Sequence, residues 1–310
     1  MMRTLSVLSR WKARLRLQER PPVAVEIASA GVLAAAKTVA SDIKYAYRPL
    51  PVGAVTPGVN QPNLRNPEAI STALRSALEE VSGVMRSVTL LLPDPATRVF
   101  SLEFDSLPDD PSHVSAVLRL RLKKVVPFDI ESARISYQLL DRSGNICKML
   151  AVAVPKGVLN EYEAVVRDAG FQPGAVLPSA LSALAALNSD EPVLSAYLSG
   201  VSLTTSITAG KNILLYRTHE LPDNIDERTA EMQRDIAVAL AYFEDELKTA
   251  PACVHYAGDL DADEFSRSVL AQPLPVKHYS ASQQNGESPA FPFGSNPAGL
   301  VGALAGVRSA

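Results

Sequence analysis

Lys123-Lys124-Val125-Val126-Pro127-Phe128-Asp129-Ile130-Glu131, followed by Ile135-Ser136-Tyr137-Gln138-Leu139-Leu140, reads as a helix end, a sharp reversal and a strand. Just before it, Leu118, Leu120 and Leu122 alternate with Arg119, Arg121 and Lys123, which is the period of a strand. Asp110-Pro111 is nevertheless a good helix start, and Val114, Val117, Leu118, Leu122 and Val125 fit helical spacing, so a helix is expected over 111–125. Pro127 stops that helix because it lacks an N–H and clashes with the preceding turn. Phe128 then packs the reversal against the strand Ile135–Leu140.

Outward from this point, strands and helices alternate twice. On the N-terminal side lie strands at Val23–Ile27 and Gly31–Ala36, a Pro/Gly/Asn-rich loop over 49–66, and a helix from Pro67 to Ser82. Asn66 suits the cap of that helix, Pro67 its first position and Gly83 its end, with Ile70, Leu74, Leu78 and Val81 on its apolar face. Ser87–Leu92 is a buried strand stopped by Pro93. On the C-terminal side, Gly144 turns the chain into a strand at Met149–Val154, and helices follow over 156–169 and 178–187. Strands at Val193–Leu198, Leu203–Thr208 and Ile213–Arg217 precede the longest helix, 226–248, whose core side carries Met232, Ile236, Leu240, Phe243 and Leu247. A strand at Val254–Tyr256, a helix at Ala262–Leu270, a polar Pro/Gly-rich loop over 280–296 and a small-residue helix at Ala298–Val307 complete the chain. Asp259, Asp261, Asp263 and Glu264 lack the central Gly and terminal Glu of a calcium loop and read as a capped helix start. Two related α/β lobes are expected, and the lack of a short repeat excludes a solenoid.

Composition narrows the function classes. The chain has 310 residues, 47% of them hydrophobic, enough for two sizeable cores. It has no run of about 18 apolar residues and no secretory apolar segment, so a cytoplasmic protein is expected. Cys147 and Cys253 have no metal-ligand spacing, and His113, His219, His255 and His278 are scattered, so no metal site is expected. No G-x-S-x-G elbow or other nucleophile–base pattern suggests hydrolytic chemistry. The net charge of −3 is uneven: residues 1–20 hold six cations against Glu19 alone, a balance of +5, which leaves −8 for the rest. In that arm Leu5, Leu8, Trp11 and Leu15 form one stripe of a basic amphipathic helix that also carries Arg10 and Arg14. Such a stripe fits peripheral contact with an anionic membrane, or an arm packed on the body, and gives no support to nucleic-acid binding.

The quoted stretch resembles the PilM family of type IV pilus assembly proteins, which has a helix, an "IPF" turn, an acidic residue and a strand with a Tyr-Gln-type pair. Val152-Ala153-Val154-Pro155-Lys156, a helix bearing Tyr162, and Ala169-Gly170-Phe171-Gln172-Pro173 match the family's next run, and Gly299-Leu300-Val301-Gly302-Ala303-Leu304 echoes its terminal helix. In order and spacing the resemblance covers about residues 22–307. It implies an actin-like ATPase fold, two α/β lobes around a central cleft. The expected organisation is an arm (1–20), a first lobe (21–190) with an insert near 106–154, a second lobe (191–296), and a C-terminal helix (297–310) returning to the first lobe. The resemblance also implies a place in the inner-membrane platform with other pilus components. There the family docks the cytoplasmic tail of PilN, a single-span membrane protein, beside the subdomain that holds Pro127, Phe128 and Tyr137.

Actin-like proteins hold nucleotide phosphates between two hairpins with Asp-x-Gly-type turns, where Gly admits the phosphate and Asp holds the metal or its waters. Here the first turn is Glu26-Ile27-Ala28-Ser29-Ala30-Gly31 and the second Tyr197-Leu198-Ser199-Gly200, while Gly258-Asp259 stands for the adenine-side Gly pair. On one reading Glu26 still supports a metal and Gly31 or Gly200 still cradles phosphate. On the other, Glu26 is an ordinary polar residue near a strand end and the glycines serve turns. With the second carboxylate gone and Ala28 in place of Gly, a vestigial site at Glu26, Ser29, Gly31, Gly200 and Gly258 is expected, with ATP and magnesium disfavoured. The expected role is that of a non-catalytic scaffold; the alternatives are a nucleotide-dependent switch of the same fold or a cytoplasmic component of a type II secretion platform.

Overall fold

The computed structural model describes residues 20–38, 42–143, 146–187, 189, 191–200, 202–210, 212–258, 260–270, 273–279 and 296–305. The amphipathic stripe with Leu5, Leu8, Arg10, Trp11, Arg14 and Leu15 lies outside these residues, as do Gly144 and Asp259.

Two five-stranded sheets share one topology. The first holds β1 (Val23–Ile27), β2 (Gly31–Lys37), β3 (Ile43–Pro49), β4 (Ser87–Leu92) and β8 (Gln172–Pro178), in the order β3-β2-β1-β4-β8. The second holds β9 (Val193–Ser199), β10 (Ser202–Ala209), β11 (Asn212–Glu220), β12 (Val254–Ala257) and β13 (Val276–His278), in the order β11-β10-β9-β12-β13. In each, three sequential strands pair antiparallel and the last two join in parallel. The registers align the lobes residue by residue. Ala28 and Gly31 close the first hairpin with reciprocal backbone bonds of 3.0 and 3.2 Å, and Ser199 pairs with Ser202 in the second. Ser199 therefore corresponds to Ala28, and Tyr197 to Glu26.

The alternation of β1 sends its side chains to two cores. Val23, Val25 and Ile27 pack with Ile70, Leu74 and Leu78 of α1 (Pro67–Ser82), and with Tyr162 of α3 (Lys156–Asp168). Ala24 faces the other way, with Leu33, Leu91 and the terminal helix α7 (Ala298–Leu304). The α1 cap is as the sequence predicts: the Asn66 side chain accepts from Ala69 N at 3.1 Å, and Gly83 ends the helix at φ 57°. In the second lobe, Met232, Ile236 and Phe243 of α5 (Ile225–Leu247) pack on Leu194, Leu198, Tyr256 and Phe265. Leu240 and Leu247 are only partly buried, and Ala239 and Asp235 take the covered positions instead. Asp235 is tolerated there because His219 Nδ1 stands 2.7 Å from its carboxylate. Asp261 caps α6 (Ala262–Val269) through Glu264 N at 2.7 Å, the capped start expected of that acidic run.

An insert interrupts the first lobe. Its sheet has the order β5-β7-β6, from β5 (Arg98–Phe104), β6 (Ala133–Ser143) and β7 (Ile146–Pro155). It begins at Arg98, earlier than the expected 106, because the whole of β5 pairs with β7, from Arg98↔Ala153 to Phe104↔Cys147. One face is covered by α2 (Pro111–Leu122), whose Val114, Leu118 and Leu122 meet Met149, Ala151 and Ala153. The Leu/Arg alternation thus resolves as a helix: Leu118 and Leu122 are buried, while Leu120 lies on the outer face.

The seam between the lobes is filled by two short helices, α4 (Ser179–Ala183) and α7, packed nearly backbone to backbone. A Cβ on Gly302 would stand 1.8 Å from the Ser182 carbonyl oxygen, so no side chain fits there. A Cβ on Gly299 would meet Leu91 and the Ser179 carbonyl, each at 3.1 Å, and would lie 3.5 Å from the Tyr197 hydroxyl. Ser182 Oγ donates to the Gly299 carbonyl at 2.8 Å.

Candidate functional site

The two hairpins converge on a cleft of about 380 Å³. Ala28, Ser29 and Ala30 line one side, and Ser199 and Gly200 the other, with Tyr47, Leu50, Val52, Gly53, Pro57, Pro93 and Pro95 between them. The structure thus brings Ser29 and Gly200 together as expected residues of one site. Gly200 has φ 53° and needs to be glycine for its turn.

Glu26, Gly31 and Gly258 are used differently. Glu26 is near the end of β1, as read, but it is buried, 4% accessible, and shares the α7-facing side with Ala24. Ser179 Oγ lies 2.6 Å from its Oε1 and 3.0 Å from the Leu92 carbonyl, so the carboxylate is tied into the seam. Gly31 starts β2 and is small because a Cβ would come within 2.4 Å of the Arg48 carbonyl. Gly258 makes room for the Tyr256 ring and for Leu198. Gly31 thus serves the hairpin turn and is close-packed as well, while Gly258 is set by close packing. At the second carboxylate position Tyr197 is buried among Ala180, Ala183, Ala257 and Ala298. These residues do not fit a magnesium nucleotide: no Asp, Glu, Lys or Arg lines the cleft among the described residues, and the two positions that would hold the metal's waters carry a seam-bound Glu26 and an aromatic ring. Nor do three His, Cys, Asp or Glu side chains gather at a metal-binding distance among the described residues.

Behind the cleft wall, between Pro93 and Pro95, is a carboxyl that the sequence reading missed. Asp94 accepts from Ala180 N at 3.1 Å and from the Tyr216 hydroxyl at 3.0 Å, joining the first lobe to α4 and to β11. Burial pushes its carboxyl up to about 7, partly offset by those two donors. Burial beside Asp94 also raises the Tyr216 hydroxyl well above its ordinary range. In the sequence Asp94 appears only as a polar residue after a strand-stopping proline; its one signal is a Pro-Asp-Pro run directly after an apolar strand.

A second concavity, about 230 Å³, lies between the insert and the body of the first lobe. Ser136 and Gln138 of β6 and Leu150, Val152 and Val154 of β7 line it from the insert, and Leu159, Val176, Leu177 and Leu181 from the body. Register explains the split. Ser136 pairs with Val152 and Gln138 with Leu150, so these residues share the face opposite α2. Among the described residues β6 pairs only with β7, leaving its other edge open. Of the three residues singled out from the sequence, Phe128 packs into the insert core with Leu122 and Ile130, and Pro127 is exposed at the reversal. Tyr137 borders the groove, but its pairing with Ala151 puts its side chain on the α2 side. Leu150 and Val152, which the sequence reading treated as plain strand residues, form the groove floor.

No protein-family model matches this sequence, and no curated protein does. Solved structures do. A chain of the PilM–PilN type IV pilus biogenesis complex superposes with a TM-score of 0.74 over 94% of this chain and 99% of that one, at 16% identity. The cytoplasmic domain of EpsL, an inner-membrane component of the type II secretion system of Vibrio cholerae, superposes with a TM-score of 0.50 over 91% and 92%, at 15% identity. In structure the chain is PilM-like, and its two lobes of matching topology are those of the actin-like fold.

Proposed function

We propose that this chain is a non-catalytic scaffold of a type IV pilus inner-membrane platform, and that it docks the cytoplasmic tail of a PilN-like single-span membrane protein. The observation that carries this reading is the end-to-end likeness to a chain of the PilM–PilN complex, which covers the insert as well as both lobes. The groove supplies a physical reason: it is apolar on its floor, polar at the exposed Ser136 and Gln138, and bounded by an open strand edge. An extended, partly apolar peptide gains area from the floor and backbone partners from the edge. The protein works at the cytoplasmic face of the membrane beside other platform components. Among the described residues no helix is long and apolar enough to cross a bilayer.

The cleft supports the non-catalytic half of the proposal. A protein that kept the lobes but lost the charged residues of the cleft retains a rigid frame for partners, while phosphoryl transfer needs a placed metal and nucleophile. A second reading, the cytoplasmic part of a type II secretion platform, is favoured by the superposition on the EpsL domain.

The test is capture of the membrane protein encoded beside this one, through its N-terminal tail. The chain should bind a tail peptide above a scrambled control, and the Ser136→Arg/Gln138→Arg double variant should bind at least about tenfold more weakly, because both exposed side chains rim the groove. Equal binding of native and scrambled peptides would refute tail docking.

A further inference from the structure

The outer face of α2 is amphipathic in a way the insert does not need for folding. Leu120 is 75% exposed and Val125 60% exposed, whereas Val114, Leu118 and Leu122 of the same segment are buried and Val117 and Val126 half-buried. On a helix, Leu120 is neighboured by the residues three and four places on, which are Lys123 and Lys124. The helical path does continue that far: Lys123 N bonds to the Arg119 carbonyl, and Val125 N to that of Leu122, both at 2.9 Å. Lys123 and Lys124 are exposed. Arg119 is committed elsewhere, to the carbonyls of Ile130 and Ala133. The acidic residues nearby are Asp129, Glu131, Glu103 and Asp105. Asp129 caps Glu131 N and Ser132 N and also feels the charge of Lys123, and Glu103 and Asp105 border a hollow with Arg121. On the same side of the insert sheet, Tyr137 and Leu139 are 37% and 44% exposed, opposite Ala151 and Met149.

We infer that Leu120, Lys123, Lys124 and Val125 form a membrane-contact surface for anionic lipid headgroups, in addition to any contact by residues 1–20. Two exposed aliphatic side chains next to two lysines match the chemistry of a bilayer interface: apolar groups enter the acyl boundary and the ammonium groups meet phosphate. An acidic protein surface would account for the lysines but leaves Leu120 and Val125 without a function. Two lysines contribute modestly at an anionic surface, so the contact is read on vesicles rich in anionic lipid, where it orients the protein. The surface belongs to the same insert as the tail groove but lies on the other face of its sheet, so lipid contact would hold the insert at the bilayer and leave the groove uncovered. The inference rests on the membrane-platform reading above, but its test uses lipid alone.

The test places a polarity-sensitive nitrobenzoxadiazole label on a Leu120→Cys variant of the full chain. The native Cys147 and Cys253 are buried, which keeps the labelling selective. A Val84→Cys variant, at a 92% exposed position just after α1, carries the control label. With vesicles of phosphatidylglycerol and phosphatidylethanolamine, the label at 120 should shift to the blue and the label at 84 should not. Phosphatidylcholine vesicles should leave both unchanged, and high salt should reverse the shift. Adding Lys123→Ala and Lys124→Ala should raise the lipid concentration needed for half the shift by roughly tenfold or more. A label at 120 that stays in water while the protein sediments with anionic vesicles would overturn the inference, since binding would then run through another surface. Equal shifts at 120 and 84, or no sedimentation at all, would overturn it too. None of these outcomes bears on tail docking, because the vesicles contain no protein.

Discussion

The hydroxyl of Tyr216, on the edge strand of the second lobe, donates to Oδ1 of Asp94, just after β4 of the first, across 3.0 Å. The same carboxyl accepts from the Ala180 amide of α4, so one buried side chain ties both lobes to the helix that fills their seam. The charged and titratable groups that face it are Tyr216 and, after β13, Tyr279.

That arrangement makes stability fall with pH. The Asp94 carboxyl rises from its ordinary 3.8 to about 7 on folding, so the folded state favours the protonated form. Its contribution is full below the unfolded value and is lost as pH rises through 7, at about 1.4 kcal/mol per unit of difference. Asp94→Asn removes this titration. In urea unfolding the variant should gain about 2–3 kcal/mol relative to the natural chain between pH 5 and pH 8. Parallel stability profiles over that window would show that Asp94 is not the titrating group.

Much of the fold was legible in the sequence because strong local signals agreed with the tertiary structure. Asn66-Pro67 and Gly83 bracket α1 by capping chemistry alone, and the strands Val23–Ile27 and Ser87–Leu92 are apolar runs buried on both faces. Four strands went unread: β5, despite its Val99, Phe100, Leu102 and Phe104, and three whose composition hides them. β3, Ile43-Lys44-Tyr45-Ala46-Tyr47-Arg48-Pro49, is an edge strand with only Ala46 buried, and β8 carries Pro173 and Gly174. β13 is three residues long and is held by its pairing to β12. At the candidate site the hairpin turns were found, but the direction of Glu26 was not. Whether a strand residue faces a cleft or a seam depends on which helix covers that side, and here α7 comes from more than 270 residues further on. The Asp94–Tyr216 pair is likewise created by the meeting of the lobes and has no local pattern.

The seam should be intolerant of any added methyl on α7. At Gly302 a Cβ would overlap a backbone oxygen, which cannot rotate away as a side chain can. At Gly299 the contacts are 3.1 Å, and one of them is to the flexible end of Leu91. Gly302→Ala should therefore cost about 1–3 kcal/mol or more in urea unfolding, and Gly299→Ala clearly less. If the two variants were equally stable, α7 would not pack on α4 as closely as the structure places it.

ATP with magnesium should show no saturable binding to this chain by calorimetry at ordinary cellular concentrations. Three features at the two turns lead to this expectation. Ala28 puts a methyl group on the turn where close backbone approach by a phosphate needs none. Glu26 has the charge of the usual aspartate, but its Oε1 is engaged by Ser179 at 2.6 Å on the seam side, and catalytic geometry tolerates little misplacement. Tyr197, at the equivalent position of the second lobe, offers no carboxylate at all. Because the defects lie in both lobes, repairing one should not restore binding: Glu26→Asp with Ala28→Gly should remain silent in the same titration. Ser179→Ala offers a complementary measurement. It removes a buried donor to the Glu26 carboxylate and should cost about 1–3 kcal/mol of stability with no effect on nucleotide response. A micromolar dissociation constant for ATP that Glu26→Ala abolished would mean that Glu26 leaves the seam to hold a metal, and the scaffold reading would give way to a nucleotide-dependent switch.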